Sequence, residues 1–179
     1  DRWGVGWILF DWGGHPVYGH DGSTIGQRAY LRIAPETGVA VCLLTNGGES
    51  GAAFEELCRE VMRAEAGIEM PVRPSLPETP PSLDLSKYEG TYARLNVEMI
   101  LTRDGDALVG RSKLSGPLAE MLPDEDDDNV MTVRPVDESL FLATSKELTT
   151  PMPVVFFDFD DGTPKRFHFG ARAMTRVQS

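Results

Sequence analysis

One segment of the chain combines residue types that take part in hydrolytic catalysis. Residues 18–27 hold His20, Asp21 and Ser23 among glycines, and glycine lets a ligand approach the backbone closely. On an edge strand, such a segment can donate a backbone N–H to a developing oxyanion, while the imidazole orients substrate or moves protons. A glycine-rich surface loop with a solvated histidine has the same composition. The residue types alone therefore leave both interpretations open.

Other chemistry-bearing residues give weaker signals. Trp3, Trp7 and Trp12 are predicted to pack the sheet, and Trp12, beside Gly13 and Gly14, has a second interpretation as a residue that lines a cleft. The three histidines, at positions 15, 20 and 168, lack the spacing of metal ligands, so neither a metal site nor a cofactor is predicted. The acidic run at residues 124–128 is typical of a solvated loop.

Composition excludes several classes of protein. The 179 residues carry a net charge of −11, which repels a phosphate backbone and excludes nucleic acid as a partner. The longest apolar runs, at residues 39–44 and 154–157, fall far short of the roughly 20 residues that span a bilayer. Cys42 and Cys58 are predicted to be small buried apolar residues. They do not fix the compartment, and the localisation stays unknown.

The elements that would position the polar segment form an incomplete layer. Strands are predicted at residues 3–10, 28–33 and 39–45, the last two joined as an antiparallel hairpin. A helix is predicted to start after Ser50, to bury Phe54, Leu57, Cys58 and Val61, and to end at Gly67. One helix covers only one face of a sheet. Residues 1–66 are therefore predicted to be the end of a larger domain, and the start at Asp1 rather than Met predicts a chain that begins mid-protein.

A proline-rich linker and a β domain are predicted to follow. Residues 67–83 contain prolines at 71, 74, 77, 80 and 81, which disfavour a helix or an inner strand. Residues 84–179 alternate polar and apolar residues, with Asp104-Gly105 and Asp161-Gly162 as hairpin turns. The predicted strands are 90–95, 97–103, 107–112, 118–122, 130–135, 140–143, 154–159 and 166–172. Eight short strands favour a small barrel or sandwich.

Four segments of the first part occur together in a known superfamily. They are Trp3-Gly4-Val5-Gly6-Trp7, His20-Asp21-Gly22, residues 31–41 and Leu44-Thr45-Asn46. In this order they resemble the last part of the serine beta-lactamase and penicillin-binding protein superfamily, in its class C type esterase and peptidase branch. The third motif of that family, Lys or His, a variable residue and Gly, lies on the strand that edges the active site. The resemblance implies that His20 is the basic residue, with Gly22 beside it, and that the Ser23 N–H is an oxyanion donor.

The middle residue of this motif departs from the family. Asp21 places a negative charge where a hydroxyl is common, which calls binding of a substrate carboxylate there into question. We predict that Asp21 and Trp12 contribute to substrate binding.

The other two motifs of the family are missing. No serine has a lysine three residues later, and no tyrosine is followed two residues later by Asn or Ser. Ser23 has only His20 nearby as a base, and three residues along a strand puts the two side chains on opposite faces. The chain alone is predicted to be inactive, with the nucleophilic Ser, the general-base Lys and the Tyr upstream of Asp1.

The second part resembles another known domain. Leu85-Ser86-Lys87-Tyr88-Glu89-Gly90-Thr91-Tyr92, followed by short strands, is similar to the opening of the lipocalin-like domain appended to many of these hydrolases. Tyr88 and Tyr92 are predicted to be core aromatics at the base of the barrel. A barrel of eight strands leaves room for side chains or one small ligand.

The sequence thus predicts an α+β fold for the end of a beta-lactamase-like domain, then a small all-β lipocalin-like barrel. The predicted function is the C-terminal portion of an esterase, amidase or peptidase acting on small-molecule ester, amide or peptide substrates. The predicted partner is the missing N-terminal hydrolase half. A non-catalytic binding or assembly module and a homodimer remain alternatives. An exposed apolar sheet face in residues 1–66 would favour the missing half.

Overall fold

The computed structural model describes residues 2–47, 50–117, 119, 130–146, 148, 150–170 and 172–177. These form two compact units, Asp1–Arg73 and Pro74–Ser179. The predicted α+β class is wrong, because 53% of the chain is in strands and the described residues contain one long helix, of 16 residues. The α+β class was inferred from the helix that follows the predicted hairpin, but a five-stranded sheet and a closed eight-stranded barrel outweigh that helix. The predicted domain boundaries at residues 66 and 83 stay a prediction.

The first unit contains a five-stranded antiparallel sheet in the order of the chain. Its strands are β1 (Arg2–Trp3), β2 (Ile8–Trp12), β3 (His15–Thr24), β4 (Gln27–Ala34) and β5 (Val39–Thr45). The predicted hairpin is confirmed: β4 pairs with β5 from Ala34↔Val39 to Arg28↔Thr45.

One helix follows the sheet. The helix α1 (Gly51–Val61) continues into a π-helical turn over Met62–Ala66 and ends at Gly67, whose φ of 67° is left-handed, as predicted. Ser50 makes no side-chain cap hydrogen bond, because its hydroxyl donates to the Tyr30 hydroxyl at 3.3 Å instead. The predicted burial of Leu57 is wrong, since it is 42% exposed.

The core of this unit lies between α1 and one face of the sheet. Its buried residues are Trp12, Val17, Ala34, Val41, Phe54, Cys58, Met62 and Ile68. Burial also raises the pKa of the Cys58 thiol to about 11. Cys42 is exposed, so its predicted burial is wrong: it follows the buried Val41 on β5 and therefore points to the other face.

That other face is apolar and open to solvent in the described part of this unit. The register brings His20, Leu31 and Cys42 side by side across β3, β4 and β5. Leu44, two residues further along β5, is 74% exposed. The exposed apolar sheet face that the sequence analysis took as a sign of a missing partner is therefore present.

The second unit is a closed antiparallel barrel of eight strands. They are β6 (Gly90–Arg94), β7 (Val97–Asp104), β8 (Ala107–Leu114), β9 (Val130–Pro135), β10 (Leu140–Thr144), β11 (Met152–Asp160), β12 (Thr163–Phe169) and β13 (Arg172–Arg176). The predicted last strand is two strands, β12 and β13, because Gly170 adopts a left-handed turn with φ 60°. The predicted strand at 118–122 and the acidic loop at 124–128 lie outside the described residues, apart from residue 119.

Aromatic side chains fill the centre of the barrel. Tyr88 and Tyr92 are buried there as predicted, with Phe141, Phe156 and Phe167. The Tyr92 hydroxyl donates to the Tyr88 carbonyl oxygen at 3.1 Å, and burial raises its pKa to about 12. The guanidinium of Arg176 lies 5.6 Å from the centre of the Tyr92 ring.

Candidate functional site

The His20-Asp21-Gly22 segment lies at a free edge of the sheet. Pairing between β2 and β3 ends at Ile8↔Gly19, whereas pairing between β3 and β4 continues to Thr24↔Gln27. In the described ranges, residues 20–24 of β3 therefore have a strand partner on one side only, and all five are exposed. Such an edge leaves alternate backbone N–H and C=O groups available to another molecule.

Strand geometry separates the side chains of this segment. β3 is regular from His15 to Thr24, so successive side chains alternate between the two faces of the sheet. His20 points to the open apolar face, whereas Asp21 and Ser23 point to the face that α1 covers. His20 therefore cannot act as a base for the Ser23 hydroxyl.

An aromatic ring lies beside His20. The Trp3 ring is 6.0 Å from the imidazole, measured between ring centroids, at an interplanar angle of 83°. This is an edge-to-face arrangement. No local spacing in the sequence connects Trp3 to His20.

Asp21 is held by an arginine that the sequence analysis missed. Nη1 and Nη2 of Arg32 donate to Oδ1 and Oδ2 of Asp21 at 2.6 and 3.0 Å. Nη1 also donates to the Leu31 carbonyl oxygen at 2.8 Å. Arg32 is only 8% exposed, and its guanidinium lies 4.7 Å from the Phe10 ring centre and 5.3 Å from that of Phe54. The ion pair is bidentate, which is the strong geometry for a guanidinium and a carboxylate.

A cavity of about 620 Å³ borders the end of this segment. It is lined by Gly22, Ser23, Thr24, Gln27, Arg28, Ala29, Leu44, Thr45 and Asn46. These residues come from the ends of β3, β4 and β5 that lie together. Of the predicted site residues, Gly22 and Ser23 line this cavity, whereas His20 and Asp21 lie next to it along the strand.

Trp12 is placed elsewhere. It is 4% exposed and packs in the core of the first unit, where its ring centroid is 5.6 Å from that of Phe10. It is not among the residues that line the cavity.

The histidines do not gather into one site. His15 lies 3.5 Å from a carboxylate oxygen of Glu36, and His168 is on β12 of the barrel. Within the described residues, no group of three or more His, Cys, Asp and Glu side chains has a metal-binding arrangement. No described helix is long and apolar enough to cross a bilayer.

Comparison with known proteins identifies the first part of the chain. Residues 1–65 match the family model described as Beta-lactamase. The chain is also 47% identical over 92 residues to Penicillin-binding protein 4 of Amycolatopsis lactamdurans. Residues 1–65 are beta-lactamase-like. Residues 1–65 are thus similar to part of the beta-lactamases and penicillin-binding proteins.

The aligned region is a fraction of that relative. It covers 51% of this chain and 24% of Penicillin-binding protein 4, so the chain spans about a quarter of the relative's length.

Two solved structures share the fold. The crystal structure of SurE matches 98% of this chain and 37% of its own, with a TM-score of 0.64 and 24% identity. The crystal structure of SurE with D-Leu matches 99% of this chain and 39% of its own, with a TM-score of 0.65 and 24% identity. At this identity the likeness extends to the fold. The closed barrel after the beta-lactamase-like segment is consistent with a lipocalin-like domain.

Proposed function

We propose that this chain is the C-terminal portion of a serine hydrolase that acts through an acyl-enzyme on small-molecule ester, amide or peptide substrates. His20 is the basic residue of the third motif, Gly22 lets the substrate approach, and the backbone N–H of Ser23 stabilises the oxyanion. The nucleophilic Ser, its Lys base and the Tyr come from sequence upstream of Asp1 in the parent protein. The chain alone lacks the serine–lysine and tyrosine motifs through which this family acylates.

The observation that carries this proposal is the free edge of β3 beside the cavity. In the part of the chain that the structure describes, residues 20–24 have no strand partner on the β2 side, and Gly22 and Ser23 line a space of about 620 Å³. That volume is within the usual range for a small-molecule site. A substrate lying along the edge meets backbone N–H groups and the imidazole at the same time.

The open apolar face supports the need for the upstream half. Leu31 lies beside His20 there and Cys42 lies beside Leu31 on the next strand, and α1 covers the opposite face. An apolar sheet face of this kind is normally buried against a second layer. The upstream half of the hydrolase is the occupant we propose, and a second copy of this chain is the alternative that sedimentation at several concentrations distinguishes.

The domain organisation is part of the same proposal. Residues 1–66 complete the hydrolase domain, residues 67–83 link it, and residues 84–179 form the appended lipocalin-like domain. The barrel centre is filled by Tyr88, Tyr92 and three phenylalanines, so no observation favours a separate ligand-binding function for it.

The proposal is tested by comparing the parent protein with the 179-residue chain. Both are reacted with a fluorophosphonate probe and assayed with a p-nitrophenyl ester and nitrocefin. We expect the parent protein to be labelled upstream of Asp1 and to turn over the ester, and the 179-residue chain to be inert. Labelling of the chain at Ser23 together with turnover would contradict the proposal, as would a parent protein that no probe labels.

In the parent protein, His20→Ala is expected to lower kcat/KM for the ester by about 100-fold or more, because a proton-transferring imidazole contributes at least that much. His15→Ala is the matched control. It removes an exposed histidine at the other end of the same strand, where β3 is still paired with β2, and activity should stay within about twofold. Equal effects of the two substitutions would remove His20 from the site.

A further inference from the structure

Arg32 is a buried cation whose charge is balanced by one carboxylate. Phe10 and Phe54 lie against its guanidinium, and Asp21 accepts from both of its terminal nitrogens. Its remaining nitrogen, Nε, is buried and has no hydrogen-bond partner within the described residues. A buried charge is costly unless it is paired. Asp21 is therefore tied to Arg32 rather than free to swing toward solvent.

The backbone opposite Arg32 is shaped to admit it. Gly19 pairs with Arg32 across β3 and β4. A Cβ at Gly19 would overlap the Leu31 carbonyl oxygen, and it would lie 2.8 Å from Arg32 Cδ and 3.0 Å from Nη1. Glycine at this position therefore lets the guanidinium pass across β3 to reach Asp21.

The ion pair lies next to the candidate site, on the face of β3 that α1 covers. Asp21 is flanked by His20 and Gly22, and it precedes Ser23 by two residues, about 7 Å along a strand. At that distance an unbalanced charge changes the energy of a charged substrate appreciably. The ion pair also holds β3 in place beyond Gly19, where β2 no longer pairs with it.

We propose that Arg32 is a positioning residue of the hydrolase site: its bidentate pairing with Asp21 fixes the free edge of β3 and makes that edge locally neutral toward the acyl substrate. This inference rests on the proposed function and deepens it. Arg32 acts through Asp21 and does not touch the reacting atoms.

The test is a charge cycle in the parent protein, with wild type, Asp21→Asn, Arg32→Gln and the double variant. Each is assayed with a neutral p-nitrophenyl ester and with an analogue that carries a carboxylate on the acyl chain. The pair of residues has a net charge of zero in the wild type and the double variant, +1 in Asp21→Asn and −1 in Arg32→Gln. Arg28, the ionisable residue that lines the cavity, is unchanged throughout.

We expect the ratio of kcat/KM for the anionic ester to that for the neutral ester to rise about fivefold in Asp21→Asn and to fall about fivefold in Arg32→Gln, through KM. The double variant should return to within about twofold of the wild-type ratio. Added salt should shrink both changes, because it screens charges near the surface. A structural role alone would lower the rates with both esters together and leave the ratio constant.

A constant ratio across the folded variants overturns the inference. A wild-type parent that hydrolyses neither ester overturns the proposed function, and with it this inference. Thermal melting identifies the folded variants. Asp21→Asn keeps the shape of the side chain and an oxygen acceptor for Arg32, so it decides the question by itself if Arg32→Gln does not fold.

Discussion

The sheet of the first unit and the barrel of the second are both antiparallel, but they bury their strands differently. In the barrel, each of the eight strands has two neighbours, and aromatic rings fill the inside. In the sheet, one face is covered by α1, the other face is open, and β3 loses a partner beyond Gly19. Closure satisfies backbone groups and removes edges. The unit with the free edge is also the one that carries the cavity and the His20-Asp21-Gly22 segment, so the incomplete sheet is where chemistry is proposed.

The largest effect is expected from damage to the closed core. Phe156 is 1% exposed and contacts Tyr88, Phe141 and Phe167 with ring centroids 4.9 to 5.5 Å apart. Phe156→Ala should cost about 3–5 kcal/mol of the free energy of unfolding of the barrel. Far-UV circular dichroism in urea measures it.

Phe159→Ala is the control for the core substitution. Phe159 lies on the same strand and is 37% exposed, so its truncation should cost about 1 kcal/mol or less. The fluorescence of Trp3, Trp7 and Trp12 reports on the sheet and should keep its midpoint in both variants. Equal losses of unfolding free energy in Phe156→Ala and Phe159→Ala would show that the aromatic centre does not account for the barrel's stability.

A smaller loss is expected where the sheet admits Arg32. Gly19→Ala should destabilise the first unit by about 1–3 kcal/mol, because the new methyl overlaps the Leu31 backbone and the Arg32 side chain. Tryptophan fluorescence in urea measures it. Gly22→Ala is the matched control on the same strand, since a Cβ there meets nothing within 4 Å. If Gly19→Ala is as stable as Gly22→Ala, the passage for Arg32 is not tight.

The smallest effect is a loss of stability at high pH, which should begin at a different pH in each unit. The folded state keeps the Cys58 thiol protonated up to a pKa of about 11, against an ordinary value of 9.0. Above pH 9 the unfolded chain has lost this proton and the folded chain has not, so stability falls until about pH 11 and then levels off. The expected loss is about 1–2 kcal/mol in the first unit.

The barrel should respond at higher pH. Burial raises the pKa of Tyr92 from 10.0 to about 12, so its loss of stability begins about one pH unit later. Tryptophan fluorescence follows the sheet, and circular dichroism follows the barrel. Cys58→Ala should abolish the fall in stability of the first unit between pH 9 and 11. Cys42→Ala, which removes an exposed thiol, should leave that fall unchanged. A decline that persists in Cys58→Ala would assign it to another group.

Local pattern was enough to predict most of the barrel. Alternating residues and the turns at Asp104-Gly105 and Asp161-Gly162 predicted β7, β8 and β11 to within two residues or so at each end, because a hairpin turn fixes the register of the strands beside it. The same pattern failed at Gly170, where β12 ends and β13 begins. At that point the left-handed φ of Gly170 makes a turn between two strands instead of one continuous strand.

The candidate site was predictable only in part. The motif pointed to His20, Gly22 and Ser23, whose roles stay a prediction, and strand alternation alone separates His20 from the Ser23 hydroxyl. Trp12, predicted beside substrate, lies in the core. Burial depends on which face of the sheet α1 covers, and a glycine turn does not encode that.

The sequence by itself determined the local elements, the absence of an acylating motif and the family resemblance, because periodicity, turn residues and residue order are properties of the chain. Only the tertiary structure decided that β3 outruns β2, that a cavity lies beside Gly22, and that Arg32 reaches Asp21 past Gly19. Asp21 and Arg32 are 11 residues apart, and the register of two neighbouring strands brings them together. Register and burial are collective results of packing, so single positions do not reveal them.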